Sequence, residues 1–176
     1  MQRIFLIGFM GAGKTTVGKE LSALMNCSFV DLDQYIEQRY RKTIREIFAE
    51  KGETFFRDIE QKMLREVAEF EDVVISTGGG TPCYHHNMSY MNERGTTVYL
   101  KVSNRELVRR ISRNQSTRPV LKDFTGDELT QFVEETIAKR SEFYEQAHVI
   151  FEMEAKDIAS DTSTLYACLK DRKPTS

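Results

Sequence analysis

The sequence of 176 residues predicts an α/β fold, in which helices cover both faces of a parallel β-sheet. Three observations lead to this prediction. Short apolar runs alternate with longer segments of helical pattern, the runs are continuously apolar, and several helical segments open on a capping box. Strands that are separated by helices need crossover connections, which are right-handed and bring the strands together in parallel.

Five apolar runs are the candidate strands. Their continuous apolar character is expected of strands that are buried on both faces of a parallel sheet. In chain order, the runs are residues 3–8 (RIFLIG), 28–32 (SFVDL), 73–77 (VVIST), 96–102 (TTVYLKV) and 148–152 (HVIFE).

The candidate helices are identified by their first residues. In three segments, a hydroxyl residue is followed three positions later by a glutamate, so each side chain can satisfy a free backbone N–H of the other residue. These pairs are Thr43 with Glu46, Ser103 with Glu106 and Thr125 with Glu128. A further helix is predicted to begin near Lys14. The one long polar connection covers residues 112–126, and the end of the chain, residues 171–176, is expected to be frayed.

Composition and charge limit the possible classes of function. The formal net charge is −2, so the totals give no electrostatic support for a nucleic-acid partner. The three cysteines are far apart and lack CxxC spacing, which predicts neither a disulfide framework nor a zinc site and favours a cytoplasmic location. No apolar stretch reaches the ~20 residues that a membrane span needs. We therefore expect neither a nucleic acid nor a membrane as partner.

Residues 8–15, GFMGAGKT, match the phosphate-binding pattern G-x-x-x-x-G-K-[ST]. The match lies between a candidate strand and a candidate helix, where backbone N–H groups can surround an anion at the positive end of the helix. Lys14 is expected to reach the β- and γ-phosphates of ATP, and the Thr15 hydroxyl to ligate Mg²⁺. The residues predicted to bind ATP here are Gly11, Ala12, Gly13, Lys14, Thr15 and Thr16.

Two carboxylates follow the second candidate strand in the sequence VDLD. The two-residue period of a strand predicts that Asp31 and Asp33 project on the same face, at the sheet edge where ligands of α/β folds bind. Asp31 is expected to hold Mg²⁺, and Asp33 to accept a hydrogen bond from an acceptor hydroxyl. The alternative is that either residue only caps the next helix.

Two further motifs are candidates for the acceptor site. STGGG (76–80) ends the third candidate strand with three glycines, which favours a close backbone approach to a ligand over a plain turn. In ETFFRDIE (53–60), Glu60 lies three residues after Arg57 on a predicted helix and could orient its guanidinium. Such a pair is, on its own, more often a surface salt bridge.

Taken together, the motifs resemble the shikimate kinase family of small P-loop kinases. The resemblance rests on GFMGAGKTT, DLD, FRDIE, GGG, RPVL and KRSEFYEQA, which extend from residue 8 to residue 147. It implies one domain over residues 1–176, a five-stranded parallel sheet in the order 2-3-1-4-5, and a lid near residues 112–126. It also implies that ATP phosphorylates the 3-hydroxyl of shikimate. We expect a monomer.

The resemblance also assigns residues to roles. Asp33 is matched to the shikimate hydroxyls, Arg57 and Arg140 to its carboxylate, and the lid residue Arg118 to the phosphates. Lys14, Asp33 and Arg118 are the expected catalytic residues. Arg110, in preference to Arg109, is expected to stack on adenine, and the acceptor is expected to contact the backbone of Gly78, Gly79 and Gly80.

Other functions remain possible at this stage. One is a different small-molecule P-loop kinase, acting on gluconate or on a nucleoside monophosphate, although Asp33 would repel the phosphate of the latter. Another is a nucleotide-dependent switch protein, which is disfavoured because the sequence lacks the guanine-reading motif N-K-x-D.

Overall fold

The computed structural model describes residues 2–113, 124–154 and 157–171, and these ranges contain one β-sheet flanked by α-helices. The strands are β1 (Arg3–Ile7), β2 (Ser28–Asp31), β3 (Val73–Ser76), β4 (Thr96–Lys101) and β5 (Val149–Glu152). The helices are α1 (Lys14–Met25), α2 (Leu32–Tyr40), α3 (Ile44–Val67), α4 (Asn87–Arg94), α5 (Asn104–Arg113), α6 (Gly126–Tyr144) and α7 (Ile158–Lys170), with a 3₁₀ turn at Thr81–Cys83.

The sheet is parallel throughout, in the order β2-β3-β1-β4-β5, which confirms the order implied by the resemblance. Phe5 in the central strand β1 is in register with Ile75 of β3 and Thr97 of β4. Because β2, β3 and β1 are neighbours, their carboxyl ends meet at one edge of the sheet. The candidate site residues that follow these three strands are therefore close together.

Strand β1 shows why the apolar runs are continuous. Ile4 and Leu6 pack in a core cluster with residues of α1, α5, α6 and α7, whereas Phe5 and Ile7 pack in a second cluster with residues of α2, α3 and α4. All four side chains are almost completely buried. Successive residues of one strand are thus buried against helices on opposite faces, which confirms the predicted architecture.

The predicted capping boxes differ in outcome. Those at Thr43 and Thr125 are complete, with both reciprocal hydrogen bonds present. At Ser103 only half of the box forms: the Glu106 amide donates to Ser103 Oγ at 3.3 Å. The Glu106 carboxylate accepts hydrogen bonds from Arg109 and Arg110 instead. Two charged donors therefore displace the expected backbone contact.

Each of the five predicted strands is one residue longer than the observed strand. Strand β2 ends at Asp31 and not at Leu32, so Asp33 lies in the first turn of α2. The expected lid, residues 112–126, begins inside α5 and ends where α6 begins, while residues 114–123, including Arg118, lie outside the described residues. Of the expected tail, only Asp171 is described.

Helix α3 is interrupted at Gly52, whose φ of 79° and ψ of 176° are not helical. This conformation is open almost only to glycine, because a Cβ would be strained there. After the kink, the helix brings Arg57 next to Gly80 and Glu60 next to Thr81, the residues that follow β3.

Within the described ranges, no helix combines the length and apolar character needed to cross a membrane.

Candidate functional site

The glycine-rich loop joins β1 to α1 in the way that the motif predicts. Gly11 and Gly13 have φ values of 82° and 95°, in the left-handed region that favours glycine, and Gly13 is the N-cap of α1. The first turn of α1 contains no acidic residue of its own, which leaves its backbone N–H groups available to an anion. Lys14 Nζ donates to the carbonyl oxygens of Gly8 at 2.8 Å and Phe9 at 3.0 Å. The Lys14 side chain therefore lies along the glycine-rich loop.

Thr15 and Asp31 form a pair of oxygen ligands beside this loop. The Thr15 hydroxyl donates to Asp31 Oδ2 at 2.7 Å, and Asp31 Oδ1 accepts from the Gln34 amide at 3.2 Å as the N-cap of α2. Asp31 therefore caps α2, which was the alternative left open by the sequence, and its second carboxylate oxygen faces Thr15. A hydroxyl and a carboxylate are donors that Mg²⁺ prefers, and Mg²⁺ commonly takes only one or two protein ligands beside phosphate oxygens. The pair fits this ion.

Asp33 does not share a strand face with Asp31, so the prediction from the strand period was wrong. It lies in α2 and faces Gly78, where an added Cβ would lie 3.0 Å from Asp33 Oδ1. Burial raises the pKa of Asp33 to about 6, and the charges of Asp31 and Glu60 add to this shift while Lys14 opposes it. A carboxylate with a pKa of about 6, placed beside Gly78 after β3, can accept a hydrogen bond and a proton from an acceptor hydroxyl.

Gly79 is next to Arg140, which α6 brings to the site. A Cβ at Gly79 would lie 3.1 Å from Arg140 Nη1. One turn further along α6, the Tyr144 hydroxyl donates to the Gly79 carbonyl oxygen at 2.6 Å. Burial raises the pKa of Tyr144 to about 12, although nearby Arg140 acts against this rise. Tyr144 therefore remains a neutral donor and holds the glycine turn beside Arg140.

Gly80 contacts the third side chain of the site, Arg57. A Cβ at Gly80 would lie 2.8 Å from Arg57 Nη2 and 2.9 Å from Nη1, so a larger residue would displace the guanidinium. Arg57 Nη1 donates to Glu60 Oε2 at 2.8 Å, and the Thr81 hydroxyl donates to Glu60 Oε1 at 2.6 Å. The side chains of Arg57 and Glu60 are only 11% and 1% exposed. The pair is buried, unlike the surface salt bridge that its spacing more commonly indicates.

The Gly78–Gly80 turn thus brings together three side chains that are distant in the sequence. Each glycine lacks the Cβ that would occupy the space of one of them, Asp33, Arg140 or Arg57. None of the three glycines has a positive φ, so close approach, and not backbone conformation, is the reason for glycine here. One carboxylate and two guanidinium groups therefore converge on the backbone at the end of β3.

The two candidate adenine-binding arginines differ in position. Arg110 Nη1 lies 3.4 Å from the Gly11 carbonyl oxygen and 3.3 Å from that of Ala12, so this side chain reaches the glycine-rich loop. Arg109 is directed to Glu106, with two hydrogen bonds of 2.6 Å, and its side chain is 46% exposed. Of the two arginines, Arg110 is therefore the one that contacts the glycine-rich loop.

Several residues at the site were not found from the sequence. Tyr144 and Thr81 hold Gly79 and Glu60, and the Tyr84 ring lies 4.1 Å from the guanidinium carbon of Arg57. Glu53 contacts Arg57 from the solvent side. The spacing of four residues between Glu53 and Arg57 was a usable signal, but no local pattern indicates the other three contacts.

Known proteins resemble this chain over nearly its whole length. The family model for shikimate kinase matches residues 10–170. The shikimate kinase of Parabacteroides distasonis is 58% identical over 161 residues, which cover 92% of this chain and 93% of the relative. A crystal structure of shikimate kinase from Bacteroides thetaiotaomicron has a TM-score of 0.92 at 48% identity, covering 96% of this chain and 98% of that one. The shikimate kinase from Acinetobacter baumannii in complex with shikimate has a TM-score of 0.83 at 33% identity, covering 98% and 96%.

Proposed function

The chain belongs to the shikimate kinase family, and from this premise we propose which of its residues transfer the γ-phosphoryl group of ATP to the 3-hydroxyl of shikimate. The chain is an ATP-dependent kinase that phosphorylates shikimate. The convergence of Asp33, Arg57 and Arg140 on the Gly78–Gly80 turn is the observation that carries the residue assignment.

In this proposal the shikimate carboxylate binds between Arg57 and Arg140. A planar guanidinium can hold a carboxylate through two parallel hydrogen bonds, which an ammonium group cannot imitate. The buried Glu60 fixes the direction of Arg57, and Tyr144 holds Gly79, which lies next to Arg140. The backbone of the Gly78–Gly80 turn would contact the ring of the acceptor.

Asp33 would accept a hydrogen bond from the 3-hydroxyl and orient it. The hydroxyl oxygen bonds to the γ-phosphorus, the bond to the β–γ bridging oxygen breaks, and ADP leaves with that electron pair. With a pKa of about 6, Asp33 is mainly ionised at pH 7 and can take the hydroxyl proton. Because phosphoryl transfer has a loose transition state, orientation is the larger part of its contribution.

The phosphates would be held by the backbone N–H groups of residues 11–16 and by Lys14. We assign adenine stacking to Arg110, whose guanidinium reaches this loop. Arg118, which lies outside the described residues, is proposed to neutralise phosphate charge from the lid at residues 112–126. Closure of such a lid would exclude water and so suppress wasteful hydrolysis of ATP.

Mg²⁺ is proposed as the cofactor, held by the Thr15 hydroxyl and, directly or through water, by Asp31. Their 2.7 Å contact places two suitable oxygens beside the phosphate loop. When bound, the ion would neutralise charge on the β- and γ-phosphates.

We further propose that the chain acts as one domain and as a monomer, because one chain supplies every side chain that the acceptor site needs. A cytoplasmic location is proposed because the phosphoryl donor is ATP and the three cysteines carry free thiols, as in a reducing compartment.

Purified protein with Mg-ATP and, separately, shikimate, gluconate or AMP tests the proposal by the rate of ADP release. We expect shikimate alone to accelerate release, and mass spectrometry of the product to place one phosphate on it. Faster release with gluconate would instead indicate the related sugar-acid kinase. Release that is equal with and without each acceptor would contradict the kinase assignment.

A further inference from the structure

The outer edge of Arg57 already carries a carboxylate from the same chain. Glu53 Oε1 accepts hydrogen bonds from Arg57 Nε at 3.3 Å and from Nη2 at 3.2 Å. The Tyr84 hydroxyl donates to the same oxygen at 3.0 Å, while the Tyr84 ring lies 4.1 Å from the guanidinium carbon. The Nε and Nη2 groups form one of the two edges with which a guanidinium holds a carboxylate. Glu53 therefore occupies a position of the kind that an acceptor carboxylate needs.

Arg140 acts on the same carboxylate. The pKa of Glu53 is lowered by the hydrogen bond from Tyr84, then by the one from Arg57, and also by the positive charges of Arg57 and Arg140. The Glu53 carboxylate thus lies in the field of both guanidinium groups that we assign to the acceptor carboxylate.

The two carboxylates that contact Arg57 differ in how easily they can leave it. The Glu60 side chain is 1% exposed and makes a 2.8 Å contact, whereas the Glu53 side chain is 55% exposed and its two contacts with Arg57 are longer than 3 Å. Because more than half of the Glu53 side chain is exposed, it can rotate into solvent.

We propose that Glu53 is an intramolecular competitor of the acceptor carboxylate, and that it limits the affinity of the acceptor site for shikimate. This inference rests on the proposed function, because it assumes that Arg57 binds the carboxylate of shikimate. Acceptors with a carboxylate replace Glu53 by a group of equal charge. Acceptors without one leave Glu53 on Arg57 and gain no ion pair with this guanidinium.

The test is Glu53→Gln, which keeps the shape of the side chain and removes its charge. Hydrogen bonds to a neutral amide are weaker than those to a carboxylate, so shikimate should displace the glutamine more easily. An exposed ion pair contributes about 0.2–1 kcal/mol, so we expect KM and Kd for shikimate to fall by a factor between about 1.4 and 5. At saturating shikimate, Glu53 is already displaced in the wild type, and kcat should stay the same.

A second variant and a matched control complete the experiment. Tyr84→Phe keeps the ring over Arg57 but removes the hydroxyl that holds Glu53, and it should lower the shikimate KM in the same direction. Glu50→Gln removes one exposed charge from α3 just before the Gly52 kink, where Glu50 pairs with Lys42, and should leave the shikimate KM unchanged. Kinetics and calorimetric titrations are run at one ionic strength, because exposed charges are screened by salt.

The outcomes separate the inference from the proposed function. If KM for shikimate rises in Glu53→Gln, Glu53 orients Arg57 and the competition is overturned. An unchanged KM also overturns it, as does an equal fall in Glu50→Gln. If wild-type protein fails to phosphorylate shikimate, the proposed function fails first, whatever the variants do.

Discussion

The substitution Asp33→Asn should stabilise the ligand-free protein while it abolishes most activity. The pKa of Asp33 is raised from 3.8 to about 6 because burial and the charges of Asp31 and Glu60 disfavour its ionised form. At neutral pH the folded protein must nevertheless hold Asp33 ionised. The neutral amide removes that cost and keeps nearly the same shape, but it cannot accept a proton and orients a hydroxyl less strongly.

The magnitude follows from the shift in pKa. One unit corresponds to 1.36 kcal/mol, so a shift of about 2 units corresponds to at most about 3 kcal/mol of unfolding free energy. Between about pH 4 and pH 6 the folded state binds more protons than the unfolded state, so the stability of the wild type falls as pH rises through this window. The advantage of Asp33→Asn should therefore be absent near pH 4 and complete above pH 7. For a chain of this length it would raise Tm by up to about 10 °C.

Urea unfolding of ligand-free wild type and variant at pH 4, 5, 6 and 7.5 measures this difference, and steady-state kinetics with shikimate measures activity. We expect kcat/KM to fall by about 100-fold or more. The control Asp58→Asn removes a carboxylate that is 61% exposed and should change the unfolding free energy by less than about 0.5 kcal/mol. Equal stability of wild type and Asp33→Asn at pH 7.5, or a difference that does not shrink toward pH 4, would show that the pKa of Asp33 is not raised in the folded protein.

Three further substitutions test other parts of the site by steady-state kinetics. Arg57→Lys keeps the charge but loses the paired hydrogen bonds, so the shikimate KM should rise about tenfold or more while the KM for ATP is unchanged; equal effects on both substrates would argue against a carboxylate clamp. Thr15→Ala should raise the Mg²⁺ concentration needed for half-maximal activity, and Thr15→Ser should not. If Thr15→Ala and the wild type need the same Mg²⁺ concentration, Thr15 is not a metal ligand. Tyr144→Phe removes the hydroxyl that donates to the Gly79 carbonyl oxygen and should lower kcat/KM for shikimate about tenfold. The control is Tyr99→Phe, whose ring centroid lies 5.0 Å from that of Tyr144, and it should leave kcat/KM nearly unchanged. Similar losses in both variants would indicate a general packing effect.

Features that depend on local sequence were predicted well. The glycine-rich loop is encoded within eight consecutive residues, and its flanking strand and helix were both identified from adjacent patterns. Asp33 lies near the Gly78–Gly80 turn, as expected, but the first turn of α2 and not the strand period places it there. The sequence VDLD fits either a continuous strand or a strand that ends at a helix cap. In the structure, the Gln34 amide donates to Asp31, so Asp31 caps α2 and Asp33 is helical.

Features that depend on competition between partners or on tertiary contacts were predicted poorly. The spacing of Ser103 and Glu106 fits a capping box, but Arg109 and Arg110 compete for the same carboxylate, and charged donors form the stronger hydrogen bonds. The spacing of Arg57 and Glu60 likewise predicts a contact and cannot predict that it is buried. The hydrogen bond from Tyr144 to Gly79 joins residues 65 positions apart, and no local pattern indicates it.

The difference in burial between its two glutamate partners explains how Arg57 can be both fixed and available. Breaking a buried ion pair typically costs about 3–5 kcal/mol, whereas an exposed pair contributes at most about 1 kcal/mol. Glu60 is therefore a permanent partner and Glu53 an exchangeable one. Because a guanidinium has separate N–H edges, one edge can remain on Glu60 while another exchanges Glu53 for the acceptor. An ammonium group at position 57 has no such fixed edges, so it could not keep its orientation during the exchange.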